Sequence, residues 1–236
     1  MMINAKSLLE QFMGAGGRGG DLRRGLGGFA GKSGLSGAAG GAAAGGLIAL
    51  LLGSKSGRKL GGKALTYGGA AAVGALAYRA WQNYQEGKKV STSEVATAPL
   101  PPPQDSPFQL EHAPGADGLP FELAVVRTMI AAAKSDGHVD AEEQAKLFDH
   151  VDQQGFDNET KAWMFDELRK DHDAASLAAA AQTSEQAAEL YLAARLAIDP
   201  DDPREEAFLR ELAVRLDLPA GLVEHLDAEV VAQARG

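Results

Sequence analysis

Cysteine is absent from all 236 residues, and aromatic residues make up only 6% of them. The first lack excludes disulfides, thiolate metal sites, iron–sulfur clusters and thiol nucleophiles, so stability and chemistry must come from other groups. The second leaves any soluble core small and built mainly from Ala, Leu and Val. Catalytic signatures are missing as well: there is no Gly-x-Ser-x-Gly elbow, no phosphate-binding Gly-Lys-Ser/Thr loop and no dinucleotide fingerprint after a strand. His112, His138, His150, His172 and His225 are scattered, with no metal-protease pair among them. These gaps point away from an enzyme, and no cofactor is expected. No helix-turn-helix, zinc-finger or RNP pattern accompanies the basic residues, so nucleic acid is not an expected partner.

What is present is divided. Residues 1–90 carry 12 Lys/Arg against 3 Asp/Glu, whereas residues 91–236 carry 11 against 29. Glycine follows the same line, with 23 of its 29 residues before position 91. A segment one-quarter glycine loses much backbone entropy on ordering and offers little side chain to bury, which excludes one homogeneous globule. Four regions are expected: a flexible Gly-rich leader over 1–33, a Gly/Ala-rich membrane-associated helical segment over 34–89, a Pro-rich linker over 90–120, and an acidic all-α domain over 121–236. Met1 to Phe12 is a short amphipathic stretch followed by glycines, not the long apolar run of a cleaved secretory signal.

Between Lys32 and Lys55 lie 22 uncharged residues, ending in Leu47-Ile48-Ala49-Leu50-Leu51-Leu52. As a helix this run reaches about 33 Å, enough to cross a hydrocarbon core of about 30 Å. A second uncharged run, Ala64 to Tyr78, is shorter and is followed by Trp81 and Tyr84, ring types that suit a water–lipid interface. Leu47, Ile48, Leu50, Leu51, Leu52, Trp81 and Tyr84 are therefore the expected membrane anchor, with lipid as partner. Gly37, Gly41 and Gly45, and again Gly53, Gly57 and Gly61, recur every four residues, a stripe through which helices could pack into a homo-oligomer. Basic clusters flank both runs, and three topologies stay open: a single span, a hairpin, or a second run lying on the surface.

Seven of the ten prolines fall between Pro99 and Pro120, which implies an extended, semi-rigid spacer. Beyond Pro120 the periodicity is helical. Phe121 to Ser135 and Glu185 to Ile198 are apolar nearly all round and should be central buried helices. Asp140 with Glu143, and Asp202 with Pro203 and Glu205, are helix-opening patterns, and Asp157 starts another helix. Ala174 to Ala181 and a helix opened by Pro219 bring the expected number to about seven. A shift of about 62 residues lays Asp140 on Asp202 and Glu143 on Glu205, a weak internal repeat with pseudo-symmetric character.

The string from Lys134 to Glu143 places Asp136, Gly137, Val139, Asp140 and Glu143 at positions five, six, eight, nine and twelve of a calcium loop. Positions one and three fall on Ala132 and Lys134, and an ammonium at a ligand position repels the ion. A helix-loop-helix turn bent at Gly137 and capped by Asp140 accounts for most of the string. A divalent cation shared with Asp199 and Asp201 of the second loop is the alternative reading.

The stretch from Leu51 through Lys55, Arg58, Lys59 and Lys63 to Tyr67, and on through Tyr78-Arg79-Ala80-Trp81-Gln82-Asn83-Tyr84, resembles the YebE-like family of bacterial inner-membrane proteins. The string from Asp136 to Glu143, with its echo near Asp202, is similar to the TerB-like domain of tellurite-resistance proteins. The resemblance implies a TerB-like helical bundle, an inner-membrane setting with the helical domain in the cytoplasm, and a link to envelope stress. It also implies Asp136, Asp140 and Glu143 as metal-binding positions. The combined expectation is a membrane-anchored adaptor that binds a protein partner, with a cation sensor as the alternative.

Overall fold

The computed structural model describes residues 3–12, 69–90, 102–103, 105–109, 114–137, 157–198, 200 and 202–235. Among these residues there are eight helices and no strand: α1 (Ala5–Phe12), α2 (Gly69–Gln85), α3 (Phe121–Ala133), α4 (Asn158–Arg169), α5 (Ala174–Ala178), α6 (Ser184–Ala197), α7 (Pro203–Arg215) and α8 (Ala220–Arg235). The all-α expectation therefore holds. The helix expected after Asp140 and the apolar run Leu47 to Leu52 lie outside the described residues.

The helices begin where local chemistry says they should. Asp157 accepts the Thr160 N–H at 2.9 Å and opens α4, and Asp173 accepts the Ser176 N–H at 2.7 Å and opens α5. Thr183 serves α6, and Asp202 accepts the Arg204 N–H at 2.8 Å with Pro203 as the first residue of α7. Each cap satisfies a donor that the helix itself leaves free. α7 stops at Asp217, whose left-handed φ of 52° lets the Leu218 N–H turn back to the Ala213 carbonyl at 3.1 Å.

α3 and α6 form the centre and pack closely on each other. Their side chains are buried almost all round, as a helix apolar on every face requires. α7 presents Leu209, Leu212 and Leu216, and α8 presents Leu222, Leu226 and Val230 to the same core.

Two elements from the basic half join this body. α1, opened by Asn4, buries Ala5, Leu8 and Leu9 against α3 and α2. The two leucines contribute about 2 kcal/mol each. α2 covers residues that hydropathy placed in the 34–89 membrane-associated segment, and it packs on α6 and α8. Val73, Leu76, Ala77 and Ala80 are buried there, and Arg79 Nε donates to Glu229 Oε2 at 2.8 Å. The small side chains that read as a lipid-facing run are also the ones that let two helices approach closely. Periodicity does not distinguish the two uses.

Parts of the expected linker are likewise held on the body. Phe108 is buried, with Tyr78 and Trp81 edge-on to it at 5.7 and 5.8 Å. A loop from Pro114 to Pro120 is tied to α6 by Gln186 and to the α5–α6 connection by Gln182, both donating to the Pro114 carbonyl. Among the described residues no helix is long and apolar enough to cross a membrane.

Candidate functional site

The residues expected at a cation site are only partly in view. Asp140, Glu143, Asp199 and Asp201 lie outside the described residues. Asp136 closes the turn after α3, where Gly137 adopts a φ of +71° that a side chain would strain. Arg204, at the start of α7, sits 3.4 Å from where a Gly137 Cβ would be and within electrostatic reach of Asp136. Arg204 is also fixed by Asp202, its Nη2 donating to Oδ2 at 3.1 Å. Lys134 is committed elsewhere, donating to the carbonyls of Leu168 and Lys170 at 3.2 and 2.6 Å and to Asp171 at 2.9 Å. It thus caps the C-terminus of α4. Where a cation would need only oxygen, this corner carries a guanidinium, and no group of three His, Asp or Glu assembles among the described residues.

The expected anchor rings have protein neighbours. Trp81 stacks edge-on to Phe108, and Tyr84 meets His225 at 6.3 Å. Both rings are half-buried.

A second polar centre escaped the sequence reading. Glu167 of α4 is 1% exposed, and its carboxylate accepts from Arg127 Nε at 2.8 Å and from Lys170 Nζ at 3.1 Å. His172 Nε2 stands 2.8 Å away in ion-pair contact but without hydrogen-bond alignment. Burial pushes the Glu167 carboxyl up, yet Arg127 and Lys170 more than reverse this and hold it below the ordinary glutamate range. Burial pushes His172 down, so it favours the neutral imidazole. Arg127 and Lys170 together satisfy the Glu167 carboxylate, which is the signature of an internal tie, while His172 Nε2 is left without a hydrogen bond.

A concave surface lies between α6, α7 and α8. It is a groove of about 690 Å³ lined by Leu209, Ala213, Val214, Leu218 and Val223, with Glu206 and Glu224 on its margins. Val214 is 77% exposed, unusual for a large apolar side chain. On the floor, Tyr191 donates to Asp227 Oδ1 at 3.1 Å. Arg195 Nε lies 3.4 Å from the same oxygen, and its Nη1 donates to the Ile198 carbonyl at 2.8 Å. Burial and the Asp227 charge push the Tyr191 phenol up, so it stays a hydrogen-bond donor. Asp227, its carboxyl two-fifths open to the groove, is pushed above the usual range by burial despite Arg195. An apolar trough over a few convergent polar groups is the usual form of a binding site.

Residues 37–230 match the family described as protein of unknown function (DUF533). The chain belongs to that family. The match runs through both the glycine-rich stretch and the helical body. Neither a curated protein nor a solved structure matches this DUF533 chain.

Proposed function

We propose that this DUF533 protein is a membrane-anchored interaction protein whose helical body is of the TerB-like kind and docks a partner along the α6–α7–α8 groove. The groove carries the reading: Leu209, Val214, Leu218 and Val223 form an apolar floor and rim, with Asp227 and Tyr191 set to fix a polar group at the bottom. The fitting partner is an amphipathic helix that lays apolar residues along the trough and brings a Lys or Arg to Asp227 and Glu224. The central α3–α6 pair and the capped start of α7 support the TerB-like assignment. The Lys/Arg-flanked run before Lys55 supports attachment to the bacterial inner membrane, with the body on the cytoplasmic side, where anionic lipid and basic flanks attract. A role in tellurite resistance or envelope stress follows from the same resemblance.

The test is photo-crosslinking from Val214 in native membranes with the intact chain. A defined adduct is expected, and Val223→Glu, with the photo-crosslinker kept at position 214, should abolish it while leaving the amount of protein unchanged. An adduct that persists undiminished in a Leu218→Asp, Val223→Asp protein would show that the groove is not the docking surface.

A further inference from the structure

The two walls of the α6–α7–α8 groove differ in charge. On α7, Glu206 has a cation of its own, Arg210 Nη2 lying 3.9 Å from its Oε2. On α8, Glu224 is exposed and makes no hydrogen bond or ion pair among the described residues. Asp227 follows three residues later, which puts both carboxyls on one face of the helix. α8 therefore gives the groove a negative wall that α7 does not match.

The two oxygens of Asp227 are used unequally. Oδ1 accepts from the Tyr191 hydroxyl at 3.1 Å and has Arg195 Nε 3.4 Å away. Oδ2 accepts no hydrogen bond among the described residues, and the side chain is two-fifths open to the groove. Arg195 is itself held in place, because its Nη1 donates to the Ile198 carbonyl at 2.8 Å. Burial keeps the Asp227 carboxyl above its ordinary range even with Arg195 beside it, as expected of a carboxylate short of positive charge.

These details discriminate between the two basic side chains. A guanidinium gains most from a fork of two parallel N–H bonds to both oxygens of one carboxylate. At Asp227 one oxygen already has a hydroxyl and a guanidinium, so a second fork has no pair of oxygens to meet. An ammonium is a point charge with three donors, and Oδ2 with the Glu224 carboxylate offers it two separate acceptors. Its four-carbon stem would lie over Leu218 and Val223. A guanidinium gives up water more easily, which favours arginine in a dry site. Asp227 is open enough for an ammonium to keep part of its hydration shell, so that advantage is small and the number of available oxygens decides.

We infer that the groove selects lysine over arginine: the docking helix carries a lysine whose ammonium sits between Asp227 Oδ2 and the Glu224 carboxylate. This rests on the docking reading above and names the residue that the partner must bring.

The test treats the full chain in native membranes with a water-soluble carbodiimide. The reagent joins a carboxyl to an amine as an amide and leaves as a urea carrying the carboxyl oxygen, and a guanidinium gives no such product. Mass spectrometry should find Nζ of a partner lysine joined to Asp227 or Glu224. Val223→Glu should remove that product as it removes the photo-adduct from position 214. In the Asp227→Asn, Glu224→Gln protein the photo-adduct should fall by about tenfold, of the order of one hydrogen bond to a charged group. A photo-adduct of full yield in the natural chain without any amide at Asp227 or Glu224 would overturn the lysine and leave the docking reading standing. An undiminished photo-adduct in the double variant, or an amide that survives Val223→Glu, would overturn it equally. Absence of both products from the natural chain would overturn both readings.

Discussion

Glu167 and Glu189 are both 1% exposed, and they sit in opposite chemical settings. Glu167 faces Arg127, Lys170 and His172, and it stays ionised although burial opposes its charge. Glu189, on the central α6, has no hydrogen-bond partner for either carboxylate oxygen. Its surroundings are Gly74 of α2, the Phe108 carbonyl region, and two further acids, Glu122 and Glu185. Burial first, then repulsion from Glu185 and Glu122, push it well above the ordinary range. Equal burial thus favours the charged form in one place and the neutral acid in the other. What decides is whether the packing delivers a cation, because an unpaired buried charge costs more than protonation does.

The largest effect should come from turning Glu167 into a second Glu189. Arg127→Ala removes its principal partner, and chemical denaturation of the full chain should show a loss of about 3 kcal/mol near neutral pH. Glu167 is depressed in the folded chain, so its contribution is present above the unfolded glutamate value and fades as pH falls through the folded value. The loss in Arg127→Ala should therefore shrink toward about pH 4. A loss independent of pH would mean that Arg127 acts through packing alone.

A smaller cost is expected at the wall of the Glu189 site. A Cβ on Gly74 would lie 2.4 Å from the Phe108 carbonyl oxygen and 3.3 Å from Glu189 Oε1. Alanine favours a helix over glycine by about 1 kcal/mol, but backbone on the far side cannot swing away. Gly74→Ala should destabilise by about 2 kcal/mol, the usual range for overpacking. Hydrogen exchange should show Phe108 and its neighbours opening first.

Glu189→Gln should give the smallest change and the opposite sign. Because the folded carboxyl is raised, its favourable contribution is full below the unfolded value and is lost as pH rises toward the folded one. The variant should match the natural chain near about pH 4 and exceed it by about 1–2 kcal/mol near neutrality, of the order of a buried unsatisfied group. Unfolding curves that stay parallel across this range would show that Glu189 meets water or a cation after all.

Much of the helical half could be read along the chain. Asp157 and Asp202 cap where the sequence places them, and Pro203 takes the first helical position. Leu222, Leu226 and Val230 face inward at the expected spacing. These signals are legible because capping and helical periodicity act within about four residues. The groove was less legible. Tyr191, Arg195 and Asp227 belong to helices whose apolar residues dominate the pattern, and their meeting depends on how α6 crosses α8. Lys134 was read as a reason against calcium, and its task of capping α4 from a distance left no local trace.

Sequence alone determined the helical class, the main caps, the separation of basic from acidic halves and the exclusion of thiol chemistry. Tertiary structure decided that α1 and α2 belong to the acidic body, that Phe108 is seated between Tyr78 and Trp81, and which buried acids carry charge. The reason lies in distance along the chain. Arg127 and Glu167 are 40 residues apart, and Arg79 and Glu229 are 150 apart. Such pairs leave no periodic mark, and only the packed helices bring them within reach.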